Sequence, residues 1–294
     1  MSGWRDWAGS PQDLAALARL TSAQYPDAPI TAEGIARHLK QTDSQRPFLV
    51  RFAVQEGREV AFVESYPLKN GTFLLELAAP GRPDLGAALL THAHGWAQQR
   101  GAQAWEISVR TGDGRLEWLT AQGFSVQGGA DGWKWAEPGQ AALPPGVRAE
   151  PVGDDPGRQD KLRHAINAGR QELGLPPFDE RGFTENVLEY GVLRPDLLWL
   201  ALTRTDEVIG AATLHVWEAG AHAEALWLSV SPGWWRRGLG SGLLAYAASD
   251  AARSGIPLVS ANSGHSQGHL IPLLQRAGFT PSGGWLTLRQ SVAP

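Results

Sequence analysis

The sequence predicts an α/β protein built from two similar domains, each a mixed, largely antiparallel sheet flanked by helices. Three observations predict it. An apolar strand, Ala225 to Val230, runs through a loop rich in arginine and glycine into an apolar helix that opens at Leu239. Landmarks repeat at one offset: Leu89-Leu90 and Leu243-Leu244 lie 154 residues apart, and Gly123-Phe124 and Gly278-Phe279 lie 155 apart. Between the halves, Glu137 to Gly146 is dense in Pro and Gly and reads as a linker. The expected domains are 1–137 and 147–294, joined by 138–146.

The second half can be read element by element. Val147 to Val152 is a short strand, Gly157 to Glu172 a helix and Phe183 to Gly191 a second helix. Leu197–Thr203, Glu207–Val216 and Ala221–Val230 are strand-like runs separated by turns. Leu239 to Arg253 is a helix stopped by Gly255, a residue suited to a left-handed cap. Ile256–Ala261 is a strand, His269–Arg276 a helix, and Phe279 returns to strand. A meander followed by helix, strand, helix and strand places helices on both faces of one sheet. In the first half, Leu116–Gln122 is the short helix before Gly123-Phe124.

Composition narrows the function. The 294 residues carry a net charge of −4, which argues against a general nucleic-acid role. There is no cysteine, so disulfides, thiolate nucleophiles and Cys-type zinc sites are excluded. The first residues contain no apolar leader, and no run approaches the ~18 apolar residues of a membrane span. These features lead us to expect a cytoplasmic protein, monomer or homodimer, with no membrane or nucleic-acid partner. Thirteen tryptophans are expected mostly as packing.

The segment Val230 to Leu244 carries the chemistry. Arg236 and Arg237 precede Gly238, Gly240 and Gly242. Glycine lets a backbone approach a bulky anion and present its N–H groups, and the helix that follows adds a positive dipole end. A Walker loop needs a Lys after the glycines, and a Rossmann fingerprint needs Gly-x-Gly-x-x-Gly; neither is met.

The segment resembles motif A of the GNAT acyltransferase superfamily, Arg/Gln-x-x-Gly-x-Gly/Ala, which grips the pyrophosphate of coenzyme A. Trp235 stands at the motif's Arg/Gln position, and arginines follow at the next two. The order of elements in 147–294 is that of GNAT domains. The tandem plan, with a degenerate first copy, is similar to the architecture of the mycothiol synthases. The resemblance implies acetyl-CoA as acyl donor and a small-molecule primary amine as acceptor. It implies cofactor binding by Arg236, Arg237, Gly238, Leu239, Gly240 and Ser241, and pantetheine pairing with the edge of the fourth strand of the domain, around Leu228 and Val230. It also assigns Asn262, which ends the fifth strand, either to the cofactor or to a plain strand-ending turn.

In the first half the corresponding loop, Ala79 to Ala87, is about two residues shorter. With Gly86 on Gly240, Asp84 stands at Gly238 and Pro83 at Arg237. Proline lacks an N–H, and Asp repels a phosphate. This copy is expected to bind coenzyme A poorly or not at all, and to act as a scaffold or as a lid on the acceptor pocket.

Acyl transfer to an amine needs a neutral nucleophile, and an alkylamine with a pKa of ~10.4 is almost wholly protonated at pH 7. Glu224, fourteen residues before Gly238, falls where several GNAT enzymes carry a catalytic glutamate. It reads either as that base or as a solvent-facing carboxylate at a strand start. The family's general-acid tyrosine falls at Leu274 and is therefore missing. Tyr246 reads as core, and His265 and His269 as polar surface residues near the cleft. Trp199, Trp217, Trp227, Trp234 and Trp235 suggest an apolar or aromatic acceptor. No metal motif and no Gly-x-Ser-x-Gly elbow occurs. Two functions remain: an acetyl-CoA-dependent N-acetyltransferase, or a catalytically weak coenzyme A binder acting as a sensor or complex subunit.

Overall fold

The computed structural model describes residues 2–26, 29–41, 48–68, 71–112, 114–136, 141–189, 194–217 and 222–291. It divides into two compact units, 1–129 with 285–294, and 130–284.

The first unit opens with β1 (Ser2–Asp6), α1 (Pro11–Gln24) and α2 (Ala32–Gln41). A capping box from Ser10 and Asp13 starts α1, with Pro11 at its first turn. Strands β2 (Leu49–Gln55), β3 (Arg58–Pro67) and β4 (Thr72–Ala78) form an antiparallel meander. Helix α3 (Pro83–Gln98) then leads to β5 (Ala104–Arg110), parallel to β4 over Thr72–Leu75. Helix α4 (Arg115–Ala121) closes the series. Leu89, Leu90, Ala93 and Ala97 of α3 pack on Val63, Leu75 and Ile107, while Leu17 of α1 packs on Phe52 and Phe62 across the sheet.

The second unit begins within β6 (Ser125–Trp135) and continues through β7 (Arg148–Pro151) and α5 (Pro156–Glu172), capped by Asp155. The short α6 (Glu180–Phe183) runs into a π-helical turn at Thr184–Leu188. Strands β8 (Leu198–Leu202), β9 (Val208–Trp217) and β10 (His222–Val230) form the second meander. Helix α7 (Leu239–Arg253), β11 (Leu258–Gly264), a 3₁₀ turn at 265–270, α8 (Ile271–Arg276) and β12 (Phe279–Ser291) complete the chain. The strand order is β6-β11-β10-β9-β8-β7, antiparallel except for β10 with β11. Leu239, Leu243 and Ala247 of α7 cover one face of this sheet; Leu162 and Ile166 of α5 cover the other.

The unit bounds differ from the expected 137 and 147. Ala130–Lys134 of β6 ladder with Ser260–Gly264 of β11, and Trp285–Ser291 of β12 ladder with Ala104–Arg110 of β5. Each half therefore gives its last strand to the other half's sheet, which a linear reading of turn residues does not reveal. Within the expected linker, 137–140 lie outside the described residues. Ala141 and Leu143 pack against the core of the second unit, so this stretch is part of that unit and not a free tether.

The repeat is real in three dimensions. Gly123 and Gly278 have φ of 92° and 93°, and both end a short helix before a buried Phe. Leu89 and Leu243 are both fully buried on the corresponding helices.

The third glycine of the loop motif serves packing. A Cβ on Gly242 would lie 2.4 Å from the Ala142 carbonyl oxygen, in backbone that cannot give way. We predict that Gly242→Ala lowers stability by about 1–3 kcal/mol, the range for overpacked sites. Gly95→Ala, in open space within α3, raises it by about 0.5–1 kcal/mol. Thermal melts of the two variants check the pair.

Candidate acyl-transfer site

Two features of the second unit converge at one place. The first is a gap in the sheet. The parallel ladder of β10 with β11 runs only from His222–Leu258 to Ala225–Ala261. At Leu226 the pairing with β9 shifts register, and the Trp227 N–H turns to the buried Thr213 hydroxyl at 3.2 Å. A bulge adds twist and bends its strand. Beyond it β10 follows β9 to Val230 and leaves β11, so the Leu226–Val230 edge has no ladder partner in β11.

The second feature is the N-terminus of α7, directly after β10. Arg236 adopts a left-handed φ of 60° and Gly238 one of 82°. Left-handed backbone at a non-glycine is uncommon and clusters at functional loops. Like α3, and unlike α1 and α5, which are capped by Ser10 and Asp155, α7 has no side-chain cap. The first-turn N–H groups of a helix have no intrahelical acceptor, and they carry the positive end of its dipole. Those of Leu239, Gly240 and Ser241 are of this kind. The Ser241 hydroxyl donates to the Gly238 carbonyl at 3.1 Å, tightening the turn. Gly240 is packed within the protein: a Cβ there would lie 2.9 Å from the Leu273 side chain and close to Val230 and Leu228. Arg236 and Arg237 are exposed, and the Arg237 guanidinium lies 5.5 Å from the Trp234 ring centroid. The donor set, cationic and rich in outward N–H groups, fits a diphosphate.

Two of the expected cofactor contacts are modified. The Val230 carbonyl accepts a hydrogen bond from the Trp235 indole at 2.8 Å, so that oxygen is already engaged. Asn262 is tied to Glu224: its amide donates to Glu224 Oε1 at 2.5 Å. Leu228 and Val230 pack their side chains toward α7.

Glu224 lies on the opposite face. Ala223 and Ala225 pack into the α7 core, so alternation turns Glu224 toward the α5 side. It is half-buried and stands directly across from the buried His215 of β9. His222, two residues before Glu224 on β10, bonds the Ser260 hydroxyl of β11 at 2.6 Å. His215 was not legible in advance, because a lone histidine on an apolar strand carries no motif; only the register across β9 and β10 reveals it. Leu274, at the family's tyrosine position, is core, and Tyr246 also packs against the core. His269 is exposed, and the His265 side chain lies outside the described residues. Trp199 is fully buried, and Trp234 packs against the core, so neither supports an aromatic acceptor pocket. Among the described residues no group of His, Asp and Glu is placed to hold a metal, and no helix is long and apolar enough to cross a membrane.

The first unit has the same skeleton without the bulge, and although no side chain caps α3 either, its first turn carries Asp84. Its parallel ladder ends at Leu75–Ile107, but β4 has no bulge against β3. The Arg115 guanidinium donates to the Leu77 carbonyl at 2.6 Å, just past that ladder, and to the Tyr25 hydroxyl. Arg110 adds a second guanidinium, 5.4 Å from the Tyr25 ring and 5.0 Å from that of Trp285. Counting back from Gly123 and Gly278 puts Leu270, which has no side-chain donor, at Arg115's place. Helix α3 starts at Pro83, the position of Arg237, so helix occupies the place of Gly238 and the left-handed glycine stands earlier, at Gly81 with φ of 67°. Asp84 sits in that first turn, ion-paired with Arg82 at 3.0 Å.

Comparison with known proteins bears on the fold. The model of the acetyltransferase (GNAT) family matches residues 163–279. A GCN5-related N-acetyltransferase from Sphaerobacter thermophilus is 20% identical with a TM-score of 0.76, covering 99% of this chain and 96% of that one. A tandem GNAT protein from the clavulanic acid biosynthesis pathway is 16% identical with a TM-score of 0.76, covering 100% and 99%. A GNAT-family acetyltransferase from Colwellia psychrerythraea is 12% identical with a TM-score of 0.63, covering 98% and 100%. None of the curated proteins compared with the chain matches it.

The α1 face of the first unit holds a carboxyl pair, Glu64 opposite Glu76. Burial, reinforced by the charge of Glu76, pushes the Glu64 carboxyl up to about 8. Unfolded, it loses its proton near its ordinary value of 4.5. Between these values the folded state holds the extra proton, so stability falls as pH rises from about 4.5 to about 8. We predict that Glu64→Gln removes this slope and gains a few kcal/mol at pH 8 relative to the parent. Urea unfolding across that pH range measures it.

Proposed function

We propose that this chain, whose residues 163–279 match the acetyltransferase (GNAT) family and whose two units share the tandem GNAT fold, is an acetyl-CoA-dependent N-acetyltransferase acting on a small-molecule primary amine. Its active site lies in the second unit, and the first unit binds no coenzyme A. The observation that carries the reading is the coincidence of the uncapped α7 N-terminus with the gap in the sheet beyond Ala225 and Ala261. Backbone N–H groups of Leu239, Gly240 and Ser241 hold the diphosphate, with Arg236 and Arg237 adding charge. The exposed edge at Leu226–Leu228 pairs with the pantetheine amides as an added strand would. Acetyl-CoA supplies an activated acyl thioester.

The protein's own part is proton handling and orientation. Glu224 accepts the proton of the attacking amine, directly or through water. The Asn262 amide fixes its carboxylate in one orientation. No side chain of α8 takes the family acid role, because Leu274 is core. A thiolate is stable enough to depart without a dedicated proton donor, at some cost in rate.

That loss is also what supports a second reading, a coenzyme A-binding sensor with feeble turnover. Two variants separate the readings. Glu224→Gln is expected to lower kcat by about 10²–10⁴, the usual worth of a general base, while coenzyme A affinity stays at the parent value. Arg236→Ala with Arg237→Ala is expected to weaken coenzyme A binding by about 1–3 kcal/mol, the range for charge-assisted bonds. Thiol release with an amine panel and calorimetry read the two effects. Coenzyme A binding with no release on any amine is the result that favours the sensor.

A further inference from the structure

The acceptor side of Glu224 carries a guanidinium that the reaction does not yet use. Trp227, the first residue past the bulge, lies on the Glu224 face and packs toward α5. Phe178 meets its ring edge-on, with centroids 5.5 Å apart at 87°. Arg170 of α5 lies over both, 3.8 Å from the Phe178 centroid and 5.3 Å from that of Trp227.

This group is held rigidly. Arg170 Nε donates to the Pro176 carbonyl at 2.9 Å, and Asn167 clamps the Phe178 backbone with bonds of 2.9 and 2.7 Å. Ordering a long side chain costs rotamer entropy, and here the cost is met before any ligand arrives. Among the described residues no carboxylate pairs with Arg170, and what sets it apart is that it is stacked and held in place. With Nε spent on Pro176, the two terminal nitrogens keep the fork that binds a carboxylate through parallel bonds.

Resting on the proposed acetyltransfer, we infer that the acceptor is an amine that also bears a carboxylate: Glu224 takes the ammonium end and Arg170 the carboxylate end, across the Trp227 ring. Along the strand, Trp227 follows Glu224 by one same-face step, roughly 7 Å. The site therefore reads amine and anion as separated ends of one small molecule. Arg170 is a specificity residue in this scheme and takes no part in the proton transfer.

The test measures binding and turnover separately. Calorimetry on the full chain saturated with coenzyme A compares ω-amino acids of increasing length with their uncharged amides. The acid is expected to bind at least about tenfold more tightly than its amide at one or more lengths. Arg170→Met is expected to bring acid and amide to equal affinity, and Arg170→Lys to restore part of the preference with an unchanged melting temperature. Equal binding of acid and amide by the parent at every length overturns the inference. So does an Arg170→Met variant that keeps the parent's preference. If acids bind preferentially but release no thiol from acetyl-CoA, the selectivity stands and the acetyltransfer falls.

Discussion

Everything in the second unit depends on where β10 stops pairing with β11. A parallel ladder satisfies one N–H or C=O of each strand at every step, and ending it early leaves backbone donors and acceptors facing a gap. The chain ends this one after Ala225 and Ala261 by placing the bulge at Leu226, which the Thr213 hydroxyl stabilises from the neighbouring strand. The bulge also keeps the side-chain alternation useful. Glu224 before it and Trp227 after it share the α5 face, while Leu228 and Val230 seat α7 on the other. Helix α7 thus begins with Gly240 beside Leu228 and Val230 of that strand.

The first unit is an internal control written in the same chain. It repeats the meander, the short parallel ladder, the helix with a buried Leu pair and the glycine turn before a buried Phe. What differs is local. Pro83 and Asp84 extend helix through the turn that Gly238 makes left-handed, and Arg115 lays its guanidinium on the strand edge that the second unit leaves facing the gap. A groove filled by a charged side chain of its own, bonded to Leu77 and Tyr25, must break those bonds to admit a ligand. The two units thus share a fold and differ, at the place proposed for the site, in a few residues.

The sequence made the fold legible because glycine turns and apolar periodicities are local signals. Gly255 and Gly278 mark helix ends that the structure places with φ of 85° and 93°. The loop was legible for the same reason, since Arg236 to Gly242 is contiguous. The strand exchange at β6 and β12 was not, because nothing in Ala130–Lys134 or Trp285–Ser291 names its partner. Nor were the roles of the individual glycines: only Gly238 needs its conformation, while Gly240 and Gly242 are set by contacts with residues distant in sequence. His215, Asn262 and Arg170 gain meaning from register and stacking, which arise only once strands and helices are in place.

A crystal structure of the chain with coenzyme A tests the central claim most directly. The account predicts the diphosphate within hydrogen-bonding distance of the main-chain N–H groups of Leu239, Gly240 and Ser241, with the thiol arm lying along Leu226–Leu228 and the first unit bare. A diphosphate seated elsewhere, or those amides covered by a side chain while the ligand binds another surface, would contradict it.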